Sequence, residues 1–164
     1  MKQLLLMRHA KSSWKDPALA DFDRPLNRRG RRDAPRAGQV LAERNALPDL
    51  IVASSARRAV QTAEAVARAC GGEAEVQTTR ALYAAPPEAY VETAWEVPDD
   101  VQRLLLVGHN PGLARLLFEL TGTSADVPTS ALACITLDMA SWDRMTLDTP
   151  AQLQWLWYPK LESE

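Results

Sequence analysis

The sequence predicts an α/β fold in which helices cover both faces of a largely parallel sheet. Short apolar stretches alternate along the chain with longer stretches of helical periodicity, as in successive strand–helix–strand units. Three of the short stretches, Leu4–Met7, Leu50–Ala53 and Leu104–Val107, are continuously apolar and do not alternate with polar residues. This pattern is typical of strands that are buried on both faces. The predicted architecture is therefore a three-layer α/β/α sandwich.

The elements follow from periodicity and from helix start and stop signals. Six strands are predicted, at Lys2–Met7, Leu50–Ala53, Glu75–Thr78, Arg103–Val107, Leu132–Leu137 and Gln152–Trp157. Four helices are predicted: one from an N-cap at Asn27 to Arg44, and others at Arg57–Cys70, Pro87–Val97 and Pro111–Leu120. Pro35 is expected either to kink the first helix or to mark its true first turn, because proline lacks a backbone N–H. The polar segment Ala10–Leu26 is predicted to be a loop over the end of the first strand.

The bulk composition bounds the partners and the compartment. With 164 residues, 46% of them hydrophobic, and no repeat or linker, the chain is predicted to form one domain over residues 1–164. A net charge of -2 gives no reason to expect nucleic acid or a membrane as the main partner. The apolar run at Leu4–Met7 is too short for a signal peptide or a membrane span, which favours the cytoplasm.

Cysteine and histidine usage gives no indication of a metal site. Cys70 and Cys134 lie far apart, without metal-ligand spacing, and are predicted to be free thiols. The chain has only two histidines, too few for a histidine-based site without suitably placed cysteines. We therefore predict no metal and no cofactor.

Both histidines follow closely on apolar strands. His9 comes after Leu4–Met7, and His109 comes after Leu104–Val107. Residues just past the carboxyl ends of parallel strands line the ligand crevice of such a sheet. A lone histidine in this position is commonly structural, but two at equivalent strand ends indicate a functional site.

Two arginines are predicted to reach the same crevice. Arg8 directly precedes His9, and Arg58 lies at the start of the helix that follows the strand Leu50–Ala53. Guanidinium groups bind phosphate through paired hydrogen bonds. Two imidazoles and two guanidiniums at strand ends therefore predict a site for a phosphate group.

Three motifs at these strand ends together resemble the histidine phosphatase superfamily: Arg8-His9, SSARRAVQTA at 54–63 and GHNPG at 108–112. Further motifs are similar to its SixA-like phosphohistidine phosphatase branch, namely RHAKSSW at 8–14, DRPL at 23–26, VGHNPGL at 107–113 and YPKL at 158–161. The resemblance covers nearly the whole chain and implies a phosphoglycerate mutase-like fold.

The resemblance also implies the roles of the four central residues. His9 would be the nucleophile and would form a phosphohistidine intermediate that water then hydrolyses. Arg8 and Arg58 would hold the phosphoryl oxygens, and His109 would act as a phosphate ligand and transition-state stabiliser. Nearby positive charge lowers the pKa of an imidazole, which keeps His9 neutral and nucleophilic.

Four further residues are candidates for substrate binding. Asn110 begins a helix, and helix N-termini attract anions. Asp23 and Arg24 fit either an active-site role or a salt bridge within the loop. Ser12 fits either a phosphate contact or a solvated loop.

Two positions depart from the family pattern. Most superfamily members carry glycine after the Arg-His pair, where this chain has Ala10, so the backbone there is expected to accept a Cβ. Mutases and many phosphomonoesterases of the superfamily carry a glutamate general acid shortly after the third strand. The corresponding segment Arg80–Ala85 has no carboxylate, and the nearest one, Glu88, is expected at a solvated helix N-terminus.

The missing acid favours a substrate whose leaving group departs easily. An alkoxide needs a proton, and a positioned acid typically contributes roughly 10²–10⁴-fold, whereas a phosphohistidine imidazole can be protonated on its ring. The short connections also predict a shallow site, open to a phosphorylated protein. The leading hypothesis is therefore a phosphohistidine phosphatase that acts on a protein. The alternatives are a phosphatase for a small phosphomonoester and, from another class, an inactive regulatory module that binds phosphate.

Overall fold

The computed structural model describes residues 1–160, so Leu161 and the last three residues of the predicted domain lie outside it. Within this range the strands are β1 (Lys2–Arg8), β2 (Leu50–Ser54), β3 (Glu75–Thr79), β4 (Arg103–Gly108), β5 (Leu132–Leu137) and β6 (Ala151–Trp157). The helices are α1 (Arg28–Glu43), α2 (Arg57–Ala69), α3 (Pro87–Trp95) and α4 (Gly112–Thr121). Short 3-10 turns occupy Asp21–Asp23, Arg80–Leu82 and Trp142–Arg144. Every predicted strand and helix is present, with its ends within two residues of the prediction.

The six strands form one sheet in the order β3-β2-β4-β1-β5-β6. Neighbouring strands from β3 to β1 pair in parallel, while β5 pairs antiparallel with both β1 and β6. Only β5 therefore runs against the other described strands, and the predicted largely parallel sheet is confirmed.

Residues that alternate along each central strand bury the two faces of the sheet. On β1, Leu4 and Leu6 pack in the core beneath α3 and α4, whereas Leu5 and Met7 pack in the core beneath α1 and α2. All four side chains are at most 4% exposed. This double burial explains why the strand is continuously apolar, and it confirms the three-layer α/β/α sandwich.

The first helix begins at its predicted cap and continues past its proline. The side chain of Asn27 accepts a hydrogen bond from the Gly30 N–H at 2.9 Å, which fixes the start of α1. Pro35 lies well inside the helix, so it does not mark the first turn, and the alternative, a kink at Pro35, stays a prediction. Proline removes the single hydrogen bond that its N–H would make to the carbonyl of Arg31, and the cap together with the buried face of α1 outweighs that loss.

The chain path places a crevice between β1 and β4. From β1 the chain leaves through α1 toward β2, and from β4 it leaves through α4 toward β5, which lies on the other side of β1. The two helices cover opposite faces of the sheet. Such a reversal of strand order opens a ligand crevice at the carboxyl ends of the two strands.

No helix among residues 1–160 has the length and apolar character needed to cross a membrane.

Candidate active site

His9 and His109 lie side by side at this crevice. Arg8 and Gly108, the last residues of β1 and β4, are paired in register, and the His9 N–H donates to the Gly108 carbonyl at 3.0 Å. The two ring centroids are 5.0 Å apart, and the residues are 7% and 6% exposed. The predicted meeting of the two imidazoles is confirmed.

The hydrogen bonds of His9 leave one ring nitrogen free for chemistry. Its Nδ1 lies 2.7 Å from the Ala10 carbonyl oxygen, which can only accept, so Nδ1 carries the proton and Nε2 carries the lone pair. Burial is the main cause that lowers the pKa of His9 to about 3, and the charges of His109, Arg58 and Arg8 lower it further. His9 is therefore neutral at pH 7.

Ala10 occupies a small apolar niche that explains the departure from glycine. Its side chain is completely buried in a cluster with Leu26, Ala34 and Ala65, and its φ is not in the left-handed region. Its N–H donates to Oγ1 of the buried Thr62 at 3.0 Å. A Cβ at this position therefore fills space, and the predicted tolerance of alanine is confirmed.

Arg58, in the first turn of α2, reaches both imidazoles. Its Nε donates to Nε2 of His9 at 3.4 Å, and one terminal nitrogen lies 3.5 Å from Nδ1 of His109. These contacts are long, so the guanidinium group is near both rings without being tightly bonded to either. Arg58 makes shorter hydrogen bonds to Asp21, to its backbone oxygen at 2.6 Å and to its Oδ2 at 3.0 Å.

Hydrogen bonds from two other elements orient His109. Its N–H donates to the Tyr90 hydroxyl at 3.2 Å, and its Nε2 lies 2.8 Å from the Ser54 hydroxyl. Ser54 is completely buried and already accepts the Ala56 N–H at 3.2 Å. Among the described residues, His109 Nε2 is thus the acceptor available to the Ser54 proton, which assigns the His109 proton to Nδ1. The 3.5 Å contact between this Nδ1 and Arg58 therefore joins two donors and is not a hydrogen bond. Burial first, and then the charge of Arg58, lowers the pKa of His109 to about 4.

Asp21 is a carboxylate at the site that the sequence analysis did not identify. It accepts from Tyr83 at 2.7 Å and bridges the guanidinium groups of Arg58 and Arg24, each at 3.0 Å. The hydrogen bond from Tyr83, followed by those from the arginines, holds the pKa of Asp21 well below its usual range.

Tyr83 comes from the segment that was predicted to lack an acid, and its ring packs edge-on against His109 with centroids 5.6 Å apart. Asp21 is ionised at neutral pH and has no proton to donate, while Glu88 lies exposed in the first turn of α3.

Two of the loop candidates are brought to the site and one is not. Arg24 is 6% exposed and donates to the Ser12 hydroxyl at 2.7 Å, so Ser12 and Arg24 lie together beside the imidazoles. The indole ring of Trp14, itself 72% exposed, stacks 3.5 Å from the Arg24 guanidinium carbon. Asp23 is exposed and its carboxylate has no hydrogen bond or ion pair within residues 1–160. The loop salt bridge of Arg24 is therefore made with Asp21 and not with Asp23.

Arg8 and Asn110 are tied to one point of the loop that follows α4. Both side chains donate to the carbonyl oxygen of Val127, at 3.1 Å and 2.8 Å. Asn110 Oδ1 also accepts the Ala114 N–H at 3.2 Å, which caps the first turn of α4. The Asn110 side chain thus serves the fold, and a contact between its backbone and substrate stays a prediction. The Nε of Arg8 is buried without a partner among the described residues, as suits a donor aimed at an anion.

These residues surround a pocket of about 220 Å³, called here the histidine pocket. Its lining consists of Arg8, His9, Lys11, Ser12, Trp14, Arg24, Arg58, His109, Asn110 and Thr129. Four of the ten are arginine or lysine, so the pocket suits a small anion. Within residues 1–160 no three His, Cys, Asp or Glu side chains are grouped so that they could hold a metal ion.

Comparison with known proteins agrees with this geometry. Residues 4–83 match the sequence model of the histidine phosphatase superfamily, branch 1. An uncharacterised protein of Mycobacterium tuberculosis is 39% identical over 140 residues, which cover 79% of this chain and 85% of that relative.

Two solved structures resemble the whole chain. A SixA protein of Agrobacterium tumefaciens, provisionally described as a phosphohistidine phosphatase, is 31% identical and has a TM-score of 0.82. The match covers 96% of this chain and 98% of that chain. A protein of Nakamurella multipartitia with the same provisional description is 29% identical, with a TM-score of 0.81 and 96% coverage of both chains. By sequence, by fold and by the paired histidines at the ends of β1 and β4, this chain belongs to the histidine phosphatase superfamily.

Proposed function

We propose that this protein is a phosphatase that hydrolyses phosphohistidine on a protein, through a covalent intermediate at His9. The observation that carries the proposal is a neutral imidazole whose Nε2 lone pair faces a cationic pocket without a protonated carboxylate. The neutral imidazole supplies the nucleophile, and the cations neutralise the phosphoryl oxygens.

In the first step, the Nε2 lone pair of His9 attacks phosphorus, and the bond between phosphorus and the substrate imidazole breaks. The substrate ring takes a proton from solvent on its other nitrogen, so it leaves as a neutral imidazole whose departing nitrogen keeps the electron pair of that bond. Arg8 and Arg58 hold the equatorial oxygens, while the N–H on Nδ1 of His109 donates to one of them. The Nδ1 of His109 and the terminal nitrogen of Arg58 are 3.5 Å apart, so both can donate to the same phosphoryl oxygen.

In the second step, water attacks the phosphorus on His9, and the bond to Nε2 breaks. The water gives up a proton to solvent, inorganic phosphate leaves and the His9 lone pair is restored. The Ala10 carbonyl keeps the other ring nitrogen protonated throughout, so the same nitrogen acts in every turnover.

The nature of the carboxylate supports a P–N substrate over a phosphate ester. Asp21 lies beside Arg58, but its lowered pKa makes it an ion-pair partner and a poor proton donor. An alkoxide leaving group would lack an acid at this site, whereas an imidazole leaving group does not depend on one. This comparison favours phosphohistidine over a small phosphomonoester.

The test is a direct comparison of turnover at equal concentration. Free phosphohistidine, a histidine-phosphorylated protein and phosphoserine would be supplied to the protein and to His9→Ala. We expect the two phosphohistidine substrates to be preferred, with acid-labile, base-stable labelling of the native protein and none of the variant. A preference for phosphoserine would replace the proposal with a phosphomonoesterase. Phosphate binding without turnover, unchanged in His9→Ala, would replace it with a binding module.

A further inference from the structure

We propose that the first two turns of α1 form a docking surface for an acidic face of the phosphorylated protein substrate. The surface consists of Arg28, Arg29, Arg31 and Arg32 and is called here the arginine surface. This inference rests on the proposed function and extends it from the phosphoryl group to the partner that carries it.

The overall net charge of -2 conceals a separation of charge between the two edges of the sheet. At the edge where β1, β2, β3, β4 and β6 begin and β5 ends, exposed acidic residues outnumber the exposed arginines Arg44, Arg68 and Arg144. The acidic residues are Asp49, Glu73, Asp99, Asp100, Asp138 and Asp148. The opposite edge holds the histidine pocket and the start of α1. A molecule charged in this way turns its basic edge toward an anionic partner during encounter.

Arginines at the start of α1 are unfavourable for the helix itself. The N-terminus of a helix carries a partial positive charge, and α1 has no acidic residue in its first turn. Arg28 and Arg32, at positions i and i+4, are also like charges on one helix face. The helix dipole favours acidic residues here, so an arginine that serves no contact within the fold is better explained by an anion that binds to it.

The fold itself accounts for only part of this charge. The buried carboxylate of Asp33 contacts Arg29 at 3.5 Å and Arg36 at 3.2 Å. Arg31 donates to the Leu26 carbonyl at 3.0 Å. Arg28 is exposed and makes no side-chain hydrogen bond or ion pair within residues 1–160. Arg32 also contacts Asp33, at 3.5 Å, so three arginines share this one carboxylate. The charge of Arg28 lies outside these contacts and is available to a partner.

The arginine surface is tied to the histidine pocket through Lys11, which lines that pocket. The Asn27 N–H donates to the Lys11 carbonyl at 2.9 Å, and Gly30 packs so closely on the Lys11 backbone that a Cβ there would overlap the carbonyl oxygen. A protein that presents its phosphoryl group to His9 therefore lies beside the first turns of α1. Acidic residues around its phosphohistidine would meet the arginine surface.

The test uses two synthetic peptides that carry one phosphohistidine, flanked by glutamates in one and by lysines in the other, together with free phosphohistidine. At low salt we expect kcat/KM for the glutamate peptide to exceed that for the lysine peptide by roughly tenfold or more, and the ratio to fall as salt is added. In the double variant Arg28→Glu with Arg32→Glu, the ratio should collapse while turnover of free phosphohistidine is retained. Glutamate at a helix N-terminus is favourable, so this variant should fold.

The matched control reverses two exposed arginines at the acidic edge, Arg68→Glu with Arg144→Glu, and changes the net charge equally. It should keep the preference for the glutamate peptide. Equal loss in both variants, or a preference that survives in the α1 variant, would overturn the docking surface. Absence of turnover of both peptides and of free phosphohistidine by the unaltered protein would instead overturn the proposed function. In that case the same ratio measured with phosphoserine peptides would still decide the docking proposal.

Discussion

The hydroxyl oxygen of Ser54, the last residue of β2, lies 2.8 Å from Nε2 of His109. This contact links the strand next to β4 with the imidazole that follows β4. It fixes the tautomer of His109 and turns the protonated Nδ1 toward Arg58 and the histidine pocket. A buried hydroxyl therefore decides which ring nitrogen of His109 can donate into the histidine pocket.

Ser54→Ala should remove this tautomer preference and weaken the binding of inorganic phosphate. The loss of one hydrogen bond, about 1 kcal/mol, should lower the affinity for inorganic phosphate roughly fivefold. Titration calorimetry would measure the affinity, and the ¹⁵N shifts of His109 would report which nitrogen carries the proton. Ser55→Ala, one residue further along, is the control because no hydrogen bond of its side chain is seen within residues 1–160. Unchanged ¹⁵N shifts in Ser54→Ala would contradict the assigned role.

The two histidines should remain neutral well below pH 6.5. Their pKa values in the folded protein are about 3 for His9 and about 4 for His109, against 6.5 in the unfolded chain. Because these are the only histidines, a proton NMR titration of their Cε1–H signals resolves both. We expect no inflection in that titration between pH 5 and pH 8, the interval in which an ordinary histidine, with a pKa of roughly 6.5, would titrate. A midpoint near the ordinary value would show that the rings are not shielded from protons.

The same shifts predict how stability depends on pH. Between the folded pKa values and roughly pH 6.5 the unfolded chain binds more protons than the folded one, so stability rises with pH across this window. Their contribution is complete above roughly pH 6.5 and is lost as the pH falls below it. Urea unfolding of the native protein should therefore show a larger loss between neutral and mildly acidic pH than the variant His9→Gln with His109→Gln. Equal losses would mean that the histidines do not contribute.

The sequence predicted the positions of the paired imidazoles and of the two arginines beside them, but not those of Asp21 and Tyr83. His9 and His109 each follow a continuously apolar strand. This pattern indicates where the strand ends and that it belongs to a buried parallel sheet, so the topology brings the two histidines together. Asp21 lies in the irregular segment between β1 and α1, where no periodicity indicates which of three carboxylates turns toward the site. The 3-10 turn Asp21–Asp23 decides this and exposes Asp23. Tyr83 acts through Asp21, which lies 62 residues away along the chain, so its place in the sequence does not indicate this role.

Asp21→Asn should separate binding from turnover. Removing a negative charge beside the anion site should tighten inorganic phosphate binding a few-fold, while kcat falls because Arg58 and Arg24 lose the carboxylate that orients them. The pKa of His109 should also fall further, since Asp21 raises it. Asp23→Asn removes an exposed carboxylate two residues away and should change none of these quantities. Weaker phosphate binding in Asp21→Asn would show that orientation outweighs charge.

Trp14→Ala should weaken phosphate binding through Arg24. The Trp14 ring holds the Arg24 guanidinium group by an exposed cation–π contact. Such a contact contributes about 0.5–1 kcal/mol, so its loss should lower the affinity for phosphate roughly two- to fivefold. Trp95 is also partly exposed, at 46%, but donates to the Met145 carbonyl away from the pocket, so Trp95→Ala is the matched control. An equal effect of the two substitutions would indicate a general loss of packing.

Gly108→Ala should destabilise the protein through Tyr90. A Cβ on Gly108 would overlap the Tyr90 hydroxyl, and Tyr90 is completely buried, so neither group has room to move. Overpacking of this kind costs about 1–3 kcal/mol in the free energy of unfolding. Tyr90→Phe removes the overlapping oxygen but leaves ring carbons 2.9 Å from the added Cβ, and it also deprives the His109 N–H of its acceptor. In urea unfolding, the double variant should therefore lose less than the sum of the two single losses, because the oxygen that clashes is the one that Tyr90→Phe removes. Additive losses would show that the alanine is accommodated by a shift of the backbone at the end of β4, which would move His109 and not Tyr90.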